Sequence, residues 1–140
     1  MALLKTIINP ITGAESAYWR LIKIEIDIDN QSGLLVIGGY RSQQWRDAGG
    51  PGRYVDYESI PVDSAGYAAL FAAAAAPTLG QTVAGAAYAL IKMQRRRVPA
   101  AMPNPDGSVD YQGEHYAAAE VQIVGGIVTL PSKFADAVDV

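Results

Sequence analysis

The chain has 140 residues, half of them hydrophobic, a formal net charge of −3 and no cysteine. That length supports one domain with a genuine core and is too short for two. The acidic balance argues against a nucleic-acid surface, which needs clustered Lys and Arg, and without cysteine neither disulfides nor thiolate metal sites can form.

In chain order, the first element is a strand over Leu3 to Ile8, ended by Asn9-Pro10. The opening Met1-Ala2-Leu3-Leu4-Lys5-Thr6 places a lysine early and has no long apolar run behind it, so no export signal is expected. From Ile22 to Asp29, Ile at every even position alternates with a charged residue at every odd one, the pattern of a strand with one buried and one wet face. Tyr18 to Leu21 begins the same strand. The turn formers Asp29-Asn30-Gln31-Ser32-Gly33 then lead into Leu34 to Tyr40, which predicts an antiparallel hairpin. A fourth strand is predicted over Arg53 to Ile60, after the loop Asp47 to Gly52.

Asp63 or Ser64 is a helix cap, and Tyr67, Leu70 and Phe71 share one helical face before Pro77. A second helix over Gln81 to Arg95 puts Val83, Ala87, Leu90 and Ile91 on one side. The uncharged stretch Ser64 to Ile91 is long enough to span a bilayer. It is mostly Ala, however, and is broken by Pro77, Gly80, Gln81 and Thr82, so two short helices are the better reading. Arg95-Arg96-Arg97 falls at the end of the second helix, where cations complement the helix dipole or make salt bridges.

Val98 to Gly107 is rich in proline, which excludes regular helix and predicts an extended arm. Beyond it, Glu120 to Leu130 reads as one strand with a Gly-Gly kink or as two strands of a tight hairpin, suited to adding a strand to a neighbouring subunit. The expected architecture is therefore α+β, mainly β: an antiparallel meander sheet carrying one or two Ala-rich helices. Residues 1–97 form the β-rich core domain, and residues 98–140 form an extended Pro-rich arm with a C-terminal strand.

Leu4-Lys5-Thr6, Thr12-Gly13 and Ala17-Tyr18-Trp19-Arg20-Leu21 leading into a strand resemble the opening of small tail-associated virion proteins of tailed bacteriophages, from the fibre or baseplate region. Ala87-Tyr88 to Lys92 and Leu130 to Asp139 are similar to their endings. The resemblance covers about the first 60 residues, Tyr88 to Lys92 and about the last ten. In that family the counterparts of the Tyr88 helix and the Phe134 ending lie close together in sequence, whereas here Arg95 to Thr129 separates them. It implies a structural role with no catalytic residues.

Signals for chemistry are sparse. His115, the single histidine, has Glu114 beside it but no nucleophile or second ligand at a telling spacing. Asp27 to Gly33 has the oxygen donors of a calcium loop, but its twelfth position is Gly38 and its flanks are not helical. The Gly-rich pieces have no phosphate-loop spacing and read as turns and bulges. No catalytic residue, cofactor or metal is expected. Tyr40, Trp45, Tyr54, Tyr57, Tyr111 and Tyr116, with Phe134 of the ending, are the candidate interface residues, since Tyr and Trp offer contact area and a hydrogen bond together.

The expected function is a structural part of a phage virion, assembled through sheet and aromatic contacts with tail, fibre or baseplate proteins and with further copies of itself. Its expected location is the virion, and the host cytoplasm during assembly; no nucleic-acid or membrane partner is expected. The alternatives are a capsid decoration protein, a receptor- or glycan-binding tip module using Trp45, and a small membrane protein using Ser64 to Ile91.

Overall fold

The computed structural model describes residues 2–49, 53–75, 83–99 and 102–140. Five strands form an antiparallel sheet in the order β10-β1-β2-β3-β4: β1 (Leu3–Ile8), β2 (Glu15–Asp27), β3 (Ser32–Tyr40), β4 (Asp56–Val62) and β10 (Val138–Asp139). The first four follow one another as a meander, so the α+β, mainly-β architecture read from the sequence is the one that forms. Helices α2 (Ser64–Ala75) and α3 (Val83–Met93) cover one face. The predicted turn between them, with Pro77, Gly80, Gln81 and Thr82, lies outside the described residues, as does Gly50-Pro51-Gly52 of the predicted loop. Among the described residues no helix is long and apolar enough to cross a membrane.

The alternation of β2 is re-phased by a bulge. Leu21 pairs with Ile37 and Lys23 with Val36, leaving Ile22 as the extra residue. Trp19 and Leu21 on one side of the bulge therefore share the helix-covered face with Ile24 and Ile26 on the other. Ile28 falls in the turn and is exposed, so the buried face ends before the sequence pattern does. Trp19 is completely buried, donates from its indole nitrogen to the Lys5 carbonyl at 2.9 Å and meets Phe134 edge-on at 5.1 Å between ring centroids. Opposite it stands Gly39, where a Cβ would lie 2.8 Å from the indole ring. A short helix, α1 (Gln43–Gly49), precedes β4, and Ser42 Oγ accepts the Trp45 N–H at 3.1 Å at its start.

Residues 98–140 do not form an extended arm. After β5 (Arg96–Val98) the chain makes the hairpin β6 (Val109–Tyr111) and β7 (Glu114–Tyr116), then β8 (Gln122–Val124) and β9 (Ile127–Leu130), with β5, β9 and β8 joined in a three-stranded sheet. The proline content misleads because the strands are only three or four residues long and lie between turns. Gly125 and Gly126 have φ of +58° and +77°, the two positive values of a type I′ turn, so the Gly-Gly pair joins two strands of a tight hairpin. Val98, Val109, Tyr116, Val128 and Leu130 make a small second core. The last ten residues return to the main sheet: Phe134 and Ala137 enter the main core, Ser132 Oγ donates to the Ile91 carbonyl at 2.5 Å, and β10 pairs with β1.

Candidate interaction surface

The seven aromatic candidates divide by burial. Tyr40, Tyr116 and Phe134 are buried within the chain and cannot offer free surface. Phe134 is packed away because the C-terminus folds back onto Trp19. Tyr40 is covered by Ala2 and Tyr18 on the sheet face away from the helices, and this burial pushes its hydroxyl pKa upward. From Tyr40 a row of edge-on rings runs outward through Tyr54, at 6.3 Å, to Tyr57, at 6.4 Å. Tyr54 and Tyr57 are exposed, so this row has an inner structural end and an outer available one.

Trp45 is exposed on α1, but its ring is engaged. The Arg41 and Arg53 guanidiniums lie 5.0 and 5.6 Å from its centroid, and its indole nitrogen donates to the Arg53 carbonyl at 3.2 Å. Two cations already occupy the π-system that a sugar ring would need.

Tyr111 and Tyr116 belong to a polar clamp built on Arg96, which lies 5.8 and 5.3 Å from their ring centroids. Arg96 Nε donates to the Pro131 carbonyl at 3.0 Å and Nη2 to the Tyr116 hydroxyl, which in turn donates to Glu114. Burial, then the contact with the Glu114 carboxylate, pushes the Tyr116 pKa up to about 12. Arg95 holds the same unit through Thr129 Oγ1, at 3.0 Å, and the Glu120 carbonyl, at 2.7 Å. The arginine run is therefore not a helix terminus. Helix α3 ends at Met93, and Arg95 and Arg96 fasten the small sheet to the chain that follows it, leaving Arg97 exposed.

His115 is exposed on β7, with Nδ1 2.6 Å from Asp110 Oδ1. This contact raises the histidine pKa and lowers that of Asp110, whose other oxygen accepts Asn104 Nδ2 at 3.1 Å. In the adjoining turn Asp106 accepts both the N–H and the hydroxyl of Ser108, which lowers its pKa as well. Asp27 behaves alike: its carboxylate accepts the backbone and side-chain N–H groups of Asn30 across the β2–β3 turn, so the calcium-like run makes the hairpin.

An exposed apolar group lies elsewhere, on the β8–β9 hairpin, where Val124 and Ile127, paired on one face, are 73% and 43% exposed and Ile123, on the other face, is 59% exposed. The sequence reading placed a strand for subunit contacts here but singled out none of these side chains, since an apolar run alone does not say which side is covered. A groove of about 540 Å³ also opens between the edge of β4 and the small sheet. Its lining includes Ile60, Pro61, Arg96, Tyr111 and Lys133, the last ion-paired with Glu58 at 2.5 Å.

No protein-family model matches this sequence, no curated protein matches it, and no solved structure matches the fold.

Proposed function

We propose that this chain is a structural, non-catalytic component of a tailed-phage virion, placed in the tail, baseplate or fibre region and joined to neighbouring structural proteins through sheet edges and exposed apolar side chains. One observation carries the reading. The β8–β9 hairpin, reached at the end of the 98–130 unit, turns Ile123, Val124 and Ile127 outward although the chain has a well-formed core elsewhere. Exposed apolar side chains such as the Val124–Ile127 pair mark contact sites, and a short uncharged edge strand such as Gln122-Ile123-Val124 offers backbone groups to a neighbour as well. The resemblance of the N-terminal and C-terminal segments to tail-associated virion proteins supports placing those contacts in a phage particle. The exposed end of the Tyr54–Tyr57 row supplies a second patch with Tyr chemistry suited to interfaces.

The test is quantitative mass spectrometry of gradient-purified particles of the phage that encodes the chain, beside an Ile123→Asp, Val124→Asp variant. The wild-type chain is expected at a fixed ratio to the tail proteins, with the variant left unassembled in the lysate. Absence of the wild-type chain from particles overturns the proposal. Immunogold label on heads instead of tails makes the chain a decoration protein.

A further inference from the structure

Strand β2 is longer than its neighbour on one side. Strand β3 pairs with it from Tyr18 to Asp27, but β1 pairs only from Glu15 to Trp19. Past Trp19 the flank of β2 that faces away from β3 has no strand beside it among the described residues. Where β1 runs out, the Leu21 N–H donates instead to the Tyr88 hydroxyl at 2.7 Å.

The direction of the remaining backbone groups follows from one proline. Pro61 of β4 stands opposite Leu34 and has no N–H, so that pair is of the non-hydrogen-bonded kind. Alternation then makes Leu34–Glu25 and Val36–Lys23 the bonded pairs between β3 and β2. Ile24 and Ile26 are left with N–H and C=O directed off the free flank. Such a row of groups is a template for another strand. At the opposite edge of this sheet Pro61 removes a donor and Asp56 occupies the Tyr57 N–H at 2.8 Å. The flank of β2 has neither protection.

We propose that two copies of this chain pair along that flank, antiparallel about a twofold axis at Ile24, so that Lys23 of each copy faces Glu25 of the other. The occupant is identified by charge. Lys23-Ile24-Glu25 read against itself in reverse sets Lys opposite Glu twice and Ile24 opposite Ile24, the bulge at Ile22 ending the match on that side. Directly opposed residues project to the same face. Here Lys23 and Glu25 lie on the wet face, with side chains 58% and 50% exposed, while Ile24 and Ile26 lie partly buried on the helix-covered face. Within each copy Lys23 and Glu25 already form an ion pair, so the contact makes a ladder of four alternating charges. The register is selective. A twofold axis at Ile26 sets Glu25 against Asp27 twice, and an axis at Glu25 sets that carboxylate directly against its own copy. The isologous contact closes on itself as a dimer and joins the two sheets edge to edge.

The dimer supplies a first contact for the assembly role but does not depend on it. The purified chain decides the dimer, whereas particles decide the role. Sedimentation velocity on the full chain over a range of concentrations is the experiment. The wild type is expected to dimerise reversibly, and less tightly at high salt. Lys23→Glu alone and Glu25→Lys alone each set like charges opposite twice and weaken the dimer about tenfold or more in dissociation constant. Mixing those two variants in equal amounts restores a dimer, and so does the double exchange in one chain. Ile24→Pro removes an outward N–H and abolishes the dimer. If that variant fails to fold, the charge exchanges, which alter only exposed side chains, still decide. A wild type monomeric up to about 1 mM, single variants that dimerise as well as wild type, or a mixture that fails to recover overturns the proposal.

Discussion

The five-stranded sheet and the 98–130 unit bury their side chains by different means. In the sheet, Trp19, Leu35, Ile37, Leu70, Ile91 and Phe134 meet in one continuous apolar core under two helices, and its elements come from both ends of the chain. The smaller unit has a hydrophobic cluster of five buried residues around Val109 and Leu130, and it is fastened by guanidinium hydrogen bonds from Arg95 and Arg96 to carbonyls at Glu120, Thr129 and Pro131. Apolar burial is roughly proportional to area, so a cluster this small contributes little of it. Charge-assisted hydrogen bonds are the means left to hold such a unit in place. The difference teaches that the chain has one large core and one small unit leaning on polar fastenings, and that the exposed β8–β9 hairpin sits on the smaller one.

The comparison breaks most readily at Trp19. Trp19→Ala leaves a cavity against Phe134 and the Lys5 carbonyl without its indole donor, so a loss of about 3–5 kcal/mol is expected in urea unfolding. Signals from both regions should disappear together. If the 98–130 unit keeps its structure while the sheet unfolds, the unit does not depend on the sheet.

Arg96→Ala gives the converse. It removes the donor to Pro131 and Tyr116 and leaves Tyr116 and Glu114 without their cation, a loss of about 1.5–3 kcal/mol per charged hydrogen-bond partner. The effect should be confined to residues 98–130, seen as faster proteolysis there with the unfolding midpoint of the sheet little changed. A cooperative collapse of the whole chain contradicts the distinction.

The smallest effect concerns pH. The Asp110 contact raises the His115 pKa above 6.5, so its contribution to the β6–β7 hairpin is fully present below pH 6.5 and is lost as pH rises through the higher folded value. Asp110 works in the opposite sense: its contribution is present above pH 3.8 and is lost as pH falls through the lowered folded value. NMR titration of His115 should therefore place its midpoint above 6.5, and Asp110→Asn should bring it down. An unshifted midpoint removes the contact.

The two regions also differed in how far they were legible from sequence. The β2–β3 hairpin is written in the Ile alternation and its polar turn, and the helices in the spacing of Tyr67, Leu70, Val83, Ala87 and Ile91. Periodicity did not reveal the bulge at Ile22, because a single inserted residue changes the face without changing composition. The burial of Tyr40, Tyr116 and Phe134 was equally hidden, since it depends on which distant segment returns to cover each ring. In the 98–130 unit the strands are too short for a period to register, and Pro99, Pro103 and Pro105 pointed to an arm. The Gly125-Gly126 pair was the one local sign of folded structure there, and Arg95-Arg96 became intelligible only once their carbonyl partners were in place.

Native-state hydrogen exchange across the whole chain tests the central claim most directly, that residues 131–140 complete the main core while 98–130 is fastened on as a weaker unit. Amides of β2 and β3, and those bonding β1 to β10, should exchange only on global unfolding, with β6 to β9 opening at a clearly lower free energy. Protection of β8 and β9 equal to that of β3, or early opening of β10, contradicts it.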